Sequence, residues 1–356
     1  MRIAFDVSPL SHRQTGVGTY IREALEGLVS AAGAEHEIVA FAPTSAAGRH
    51  RIEKALADLA IERRIQVLPF AHAWRTAWSR LGRPAAERIL GRFDVLHFWD
   101  WMYPPQRRGV RSTMIHDLVP LHFPEWVTSR TRRMHRAKYS NAARTCDVVF
   151  ANCEYTARDV VETLGVAPER VRVAYPGVER IFSPAGPRED LGRPYVLTVA
   201  TLEPRKNLAA LLAAHRLLGG DLALAVAGPA GWGEQAPVAG ERVLALGYVS
   251  REQLAPLYRG AAAFVYPSLF EGFGIPVIEA MASGVPCVVS SHPSLDEAAG
   301  RAAVRVDPAT PTSIAAGIER ALAERNELVG RGLEHANRFP WEGTGRAFLA
   351  GYEQVI

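Results

Sequence analysis

The chain has 356 residues, of which 48% are apolar and 22% charged, with three cysteines and a formal net charge of +4. That is the size of two domains and the composition of an ordinary globular protein. It excludes a disulfide-stapled scaffold and a helical membrane protein: Cys146, Cys153 and Cys287 form no CxxC pair, and no apolar run approaches the length of a span. Reduced, structural thiols in a cytosol are the expectation. The N-terminus MRIAFDVSPL reads as a strand rather than a secretory signal. Charge is uneven: residues 1–180 hold 26 basic and 19 acidic groups, and residues 181–356 hold 15 and 18. A basic first half suits an acidic partner or a membrane surface on that side. Only Lys54, Lys138 and Lys206 are lysines, so a general preference for arginine explains the excess equally well.

Residues 2–8 read as an apolar first strand, followed by a loop over 9–15. Gly16 and Gly18 then open an amphipathic helix running to about residue 30. Strand, glycine turn and helix begin a doubly wound α/β fold. Ile21 stands where a dinucleotide fingerprint has its last glycine, so the GxG reads as a loop packed closely on a ligand or on another loop. Further strands are expected at 37–42 and 65–69. Over residues 71–90, Trp74, Trp78 and Leu81 share one helical face with Arg75, Arg80 and Arg83 nearby. Two readings stay open for this stretch. One is a basic amphipathic helix for a membrane surface or a lipid-linked acceptor, and the other a domain helix with its tryptophans in the core. Gly82 and Pro84 weigh against the first.

A strand at 94–98 leads into an aromatic loop with Trp99, Trp101 and Tyr103. Another at 112–115 ends at His116-Asp117. Ligands of open α/β sheets gather beyond the carboxyl ends of the strands. His116 is therefore a candidate donor to a substrate hydroxyl, with a structural histidine as the competing reading. A helix over 128–144 carries Arg130, Arg132, Arg133, Arg136 and Lys138, as a solvated face or a seat for an anionic acceptor. Strand 147–151, helix 153–164 and strand 171–174 continue the alternation. Pro176, Gly177, Pro184, Gly186 and Pro187 then mark a linker, which places a domain boundary at 178–192.

The second half restarts the pattern. Strands are expected at 195–200, 222–227, 242–246, 261–266 and 285–290, and helices at 207–218, 251–259, 275–283, 311–324 and 341–356. After the first of these strands come Glu203-Pro204-Arg205-Lys206-Asn207, with Asn207 as a helix N-cap. Two adjacent cations at a helix start suit a diphosphate. Beyond strand 261–266, a loop with Gly272 and Gly274 runs into a helix opened by Pro276, with Glu271 and Glu279 bracketing it. Glycine permits close backbone approach, and the helix start offers unpaired N–H groups and a positive dipole end. The chain has no Asp-x-Asp, no Walker glycine-lysine loop, no zinc-spaced Cys/His set and no Gly-x-Ser-x-Gly elbow. Pre-placed cations and helix-end amides would then have to stabilise a leaving diphosphate.

Gly16-Val17-Gly18, His116, Glu203-Pro204-Arg205-Lys206-Asn207, Gly228-x-x-Gly231-Trp232, Gly247-Tyr248-Val249 and Glu271-x7-Glu279 together closely resemble glycosyltransferase family 4. These are retaining enzymes that use nucleotide sugars. The resemblance spans the chain and is strongest over residues 195–310. It implies the α/β GT-B fold: two Rossmann-like doubly wound domains facing across a cleft, with a C-terminal helix crossing back to the first. The implied division is 1–180 for the acceptor, 181–340 for the donor, and 341–356 for the returning helix. Arg205 and Lys206 would hold the donor diphosphate, with Gly16 and Gly18 near it, and Asn207, Gly228 and Ile275 would complete the donor site. Glu279 would bind the ribose, Glu271 the transferred sugar, and His116 would touch that sugar. The amides of Phe273 and Gly274 would face sugar and phosphate, and Tyr248 and Val249 the base. No metal and no cofactor beyond the nucleotide-sugar co-substrate are implied.

The text FDVSPLSHRQTGVGTY is similar to bacterial mannosyltransferases of polysaccharide assembly, which points to mannose. The acceptor would be a glycan, a lipid-linked molecule or a small molecule. The expected place is the cytoplasm, with peripheral contact to the inner face of the membrane through the basic half. No nucleic-acid motif is present. The rival reading from another class is a catalytically silent module that binds a sugar nucleotide or glycan.

Overall fold

A computed structural model describes residues 1–12, 16–99, 102–231 and 238–356. The chain forms two compact units. One comprises Met1–Leu118, Arg130–Gly177 and Pro340–Ile356, and the other Val119–Ser129 with Val178–Phe339.

The first unit is built on a sheet of seven strands: β1 (Arg2–Asp6), β2 (Glu37–Thr44), β3 (Glu62–Val67), β4 (Val95–Phe98), β5 (Val110–Ile115), β6 (Val148–Ala151) and β7 (Val171–Val173). Their order is β3-β2-β1-β4-β5-β6-β7, and every pairing is parallel. The central strands VLHF and VVFA are buried along their whole length, as strands covered by helices on both faces must be. At the edge, β3 reads ERRIQV and keeps its charges in water, which blunts an unpaired strand. The strand order reverses between β1 and β4, the switch point at which such sheets leave a crevice for ligands.

The C-terminal helix, Trp341–Glu353, returns to this unit and packs on the helix Gly16–Ala32. Glycines allow the two backbones to touch. A Cβ at Gly345 would lie 2.1 Å from the carbonyl oxygen of Gly27, and one at Gly27 would lie 2.0 Å from that of Trp341. Tyr352 Oη then reaches the buried His97 Nδ1 at 2.9 Å.

The second unit repeats the plan with β8 (Tyr195–Val199), β9 (Ala223–Ala227), β10 (Val243–Gly247), β11 (Ala263–Tyr266), β12 (Cys287–Ser290) and β13 (Ala303–Val306). The order is β10-β9-β8-β11-β12-β13, again all parallel, with its switch point between β8 and β11. Leu211, Leu212, Val265, Val288, Ile314 and Ile318 belong to the apolar core beneath it. Fold class and alternation therefore match the expectation.

Several local expectations change. The stretch 71–90 is not one helix: Ala71–Leu81 stops at Gly82, whose φ of 65° is left-handed, and a short turn Glu87–Leu90 follows. Trp78 is buried against Phe41, Phe93 and Leu96, and its Nε1 donates to the Pro84 carbonyl at 2.6 Å. The core reading of that helix holds for Trp78, with Trp74 partly buried beside it, while Leu81 is exposed. Lys138, placed with the solvated arginines, is fully buried and donates to the Met114 carbonyl at 2.7 Å.

The helices Ala46–Ala55 and Arg325–Ala336 and the strand β13 were not anticipated. Ala46–Ala55 buries only Gly48 and Ile52, and β13 buries only alternate residues, so their apolar signal is weak. All three cysteines are buried and unpaired. Among the described residues no helix is long and apolar enough to cross a membrane.

Candidate active site

In the second unit, β8 and β11 are hydrogen-bonded neighbours, so the loops leaving their carboxyl ends meet at the switch point. The first loop makes a tight turn, Pro204–Lys206, before the helix Leu208–Leu217. Arg205 and Lys206 thus sit in the turn that precedes the helix rather than on its first residues. Asn207 does not cap the helix with its side chain. It adopts a left-handed φ of 58°, and its Nδ2 donates to the carbonyls of Pro267 (3.1 Å) and Pro308 (2.6 Å), tying in the loops after β11 and β13. The Leu269 amide donates to the Arg205 carbonyl at 2.8 Å, which joins the two loops directly.

Glu271 is the centre of this junction. Its carboxylate accepts from Arg205 Nη1 at 2.6 Å, Lys206 Nζ at 2.5 Å, Ser268 Oγ at 2.5 Å and Tyr266 Oη at 3.0 Å. Arg205 also donates through Nε to Glu203 at 2.9 Å, and Lys206 to Tyr266 Oη at 2.7 Å. Burial alone would raise the Glu271 carboxyl; Arg205 and Lys206 overcome it and hold the group down at about 2. Burial and the neighbouring Arg205 charge pull the Lys206 ammonium below its ordinary value, with Glu271 working against them. The glutamate expected to position the transferred sugar is thus also the counter-ion that fixes both cations.

Glu279 lies in the helix Ile275–Ala282. Gly274, with φ 106°, turns the chain into this helix, Ile275 is its first residue and Pro276 its second. The Glu279 side chain is buried. Tyr258 Oη donates to its Oε2 at 3.2 Å, and Arg251 Nη2 stands 2.7 Å from its Oε1 while also contacting Glu179. The charges are within ion-pair distance, yet neither Glu279 Oε1 nor Glu179 Oε1 receives an aligned hydrogen bond. Burial disfavours the Arg251 cation, but Glu279 and Glu179 together raise it above its ordinary value.

Sequence reasoning missed Arg251, Tyr258, Tyr266, Ser268 and Glu179. The capping box of Ser250 and Gln253 was a legible sign that Arg251 opens a helix, but not that it meets Glu279.

Gly228 has φ 146°, and a Cβ there would lie 1.8 Å from the Ala200 carbonyl oxygen. Its amide donates to the Gly247 carbonyl at 2.7 Å. Gly228 therefore lets the loop after β9 lie against the one that carries Arg205. Tyr248 and Val249 follow β10, with Tyr248 exposed, and the Phe273 ring is buried against Phe339 at 5.4 Å. Trp101 and Trp232 lie outside the described residues, as does the end of the 9–15 loop.

In the first unit His116 follows β5. Its ring stacks on Trp99 with centroids 5.8 Å apart and meets Tyr20 edge-on at 4.8 Å. Trp99 Nε1 donates to the Asp6 carbonyl at 2.7 Å, so the wall beside His116 is fixed to the end of β1. Tyr20 belongs to the helix that begins at Gly16. A Cβ on Gly16 would meet nothing within 4 Å, and Gly18 is buried in the same first turn.

Residues 14–180 match the Glycosyltransferase Family 4 domain, and residues 179–338 match that of the Glycosyl transferases group 1. The O-antigen chain mannosyltransferase B of Escherichia coli is 28% identical over 99% of this chain and 100% of its own length. The serotype-specific mannosyltransferase WbdA of Escherichia coli is 28% identical over 68% of this chain, which spans about a third (33%) of that longer protein. Among solved structures, Anabaena HepE in complex with UDP and glucose superposes with a TM-score of 0.71 at 16% identity, covering 99% of this chain and 100% of that one. The chain belongs to the glycosyltransferases of the GT-B fold, its first half of the family 4 type and its second of the group 1 type.

Proposed function

We propose that this protein is a retaining, metal-independent hexosyltransferase that moves mannose from a nucleoside diphosphate to an acceptor hydroxyl. The observation that carries the reading is the Arg205–Lys206 pair, held on Glu271 where β8 and β11 part. Two cations fixed before the substrate arrives supply the charge that a departing diphosphate develops, with no reorganisation at the moment of reaction. The bond from the anomeric carbon to the donor phosphate breaks, and its electron pair leaves with the diphosphate. The acceptor oxygen bonds to the same face of that carbon, and its proton passes to the departing phosphate oxygen.

Glu279, held by Tyr258 and Arg251, receives the ribose hydroxyls, and its Oε1, which takes no aligned hydrogen bond, is the acceptor atom it offers. Glu271 serves both the cations and a hydroxyl of the transferred sugar. In the first unit His116 is backed by Trp99 and Tyr20, and in the second Tyr248 lies by the base. The mannosyltransferase names of two relatives support the sugar, and the UDP bound in HepE supports a nucleoside diphosphate donor.

The test is a hydrolysis and transfer assay over a panel of nucleotide sugars, with and without chelator. Turnover from a mannosyl donor that survives chelation is expected. Turnover abolished by chelator and restored by magnesium would overturn the metal-free mechanism, and a preference for another sugar would overturn the mannose assignment.

A further inference from the structure

The first unit contains a second concentration of positive charge, which the donor site does not use. It forms at the carboxyl end of β1, beside that sheet's switch point. Arg75 and His72 lie one turn apart on the helix Ala71–Leu81. Arg75 is 3% exposed, and its Nε and Nη1 are buried with no hydrogen-bond partner. Among the described residues the acid drawn towards it is Asp6, the last residue of β1. Asp6 Oδ1 accepts from the Ser8 amide at 2.7 Å, while Oδ2 has no partner. Arg51, from the helix Ala46–Ala55, reaches over to donate through Nη1 to the Ser11 carbonyl at 3.0 Å. Arg130 Nη2 lies 3.1 Å from His72 Nε2.

Burial, then Arg75, His72 and Arg51, lower His12, and burial, then Arg75 and Arg130, lower His72. Burial pushes the Asp6 carboxyl up to about 6, Ser8 and Arg75 notwithstanding.

Buried Arg75 has Asp6 as its one acidic neighbour among the described residues, and the exposed His12, Arg51, His72 and Arg130 lie around it. A buried guanidinium with unpaired N–H groups is an unfavourable arrangement unless something anionic completes it. Guanidinium geometry matches phosphate oxygens in pairs, and the carboxyl edge of a doubly wound sheet is where ligands bind. We infer that His12, Arg51, His72, Arg75 and Arg130 form a binding site for a phosphate or diphosphate group carried by the acceptor. Assigning the carrier as the acceptor rests on reading the chain as a transferase; the anion site itself does not. It narrows the acceptor to a phosphorylated or diphosphate-linked molecule.

The probe is inorganic pyrophosphate, titrated calorimetrically into the full chain. The titration is made alone and in the presence of whichever of UDP, GDP, ADP or dTDP raises the melting temperature. One pyrophosphate site is expected to persist under saturating nucleotide. Arg75→Gln should weaken it by about tenfold or more, and the exposed-position variants Arg51→Gln and Arg130→Gln each by several-fold, with nucleotide affinity unchanged. Circular dichroism melts establish that each variant is folded, and the two exposed-position variants carry the test if Arg75→Gln is not.

Pyrophosphate binding that vanishes under saturating nucleotide would overturn the inference. So would unchanged affinity in all three variants, as for an Asp6–Arg75 pair bridged by water alone. If the same variants lost nucleotide, the cluster would belong to the donor diphosphate instead. Failure of every nucleotide to bind counts against the transferase reading and leaves the pyrophosphate result to judge this one.

Discussion

Replacing Glu271 by glutamine keeps the shape of the site and removes the charge on which Arg205 and Lys206 close. The two cations would be left half-buried to buried, with an amide where a carboxylate had been. Moving a carboxyl from an ordinary 4.5 to about 2 corresponds to about 3 kcal/mol of preference for the ionised folded form. Breaking one partner out of a buried ion pair costs about 3–5 kcal/mol, which agrees. A unit of this size loses about 2–4 °C in melting temperature per kcal/mol, so the second unit's transition should fall by about 6–12 °C at pH 7.

The pH dependence separates this cause from a packing defect. Because the folded pKa is depressed, the contribution is complete above 4.5 and is lost as the pH falls towards 2. Calorimetric melts of Glu271→Gln and the natural chain should differ by a constant amount from about pH 6 to 8 and by under half of it near about pH 3. Equal stability at pH 7, or a difference that persists undiminished in acid, would refute the counter-ion role.

Lys206→Ala should lower transferase kcat by about 100- to 1000-fold, measured with the donor that the panel selects, because it removes one pre-placed charge from the leaving group. Unchanged turnover would put the active site elsewhere. Tyr258→Phe removes the one aligned side-chain donor to Glu279 among the described residues and should raise the donor KM by about tenfold at nearly constant kcat, checked by initial rates over a donor series. Gly228→Ala drives a methyl group into the Ala200 carbonyl at a φ that side chains rarely adopt, so it should destabilise the second unit by about 3 kcal/mol or more in a melt.

Fold class and the charged residues gathered at the second sheet's switch point were largely legible in the chain itself. The strand and helix alternation is written in apolar runs that are buried on both faces, such as AVA in β9 and CVV in β12, and such runs are visible without coordinates. Arg205, Lys206, Glu271 and Glu279 stand out because charges beside glycine loops at strand ends are chemically conspicuous. The reading failed where a side chain's fate depends on what covers it. Lys138 sits among surface-like arginines yet is fully buried, and Trp78 could not be divided between core and membrane by periodicity. Asn207 has the right residue type and position for a cap, but a left-handed backbone aims its amide at two other loops.

By itself the sequence determined the two doubly wound sheets, the family and which charged residues stand at the strand ends of the candidate site. The tertiary structure decided which of them meet. Arg205 and Glu271 are 66 positions apart and bond only because β8 is next to β11 in the sheet. Arg251 reaches both Glu179 and Glu279, and Arg75 is left facing Asp6 with buried N–H groups unpaired. Local propensity and apolar period act over a few residues, whereas pairing and charge burial depend on strand order and on what each helix covers. Those were settled only when distant segments packed.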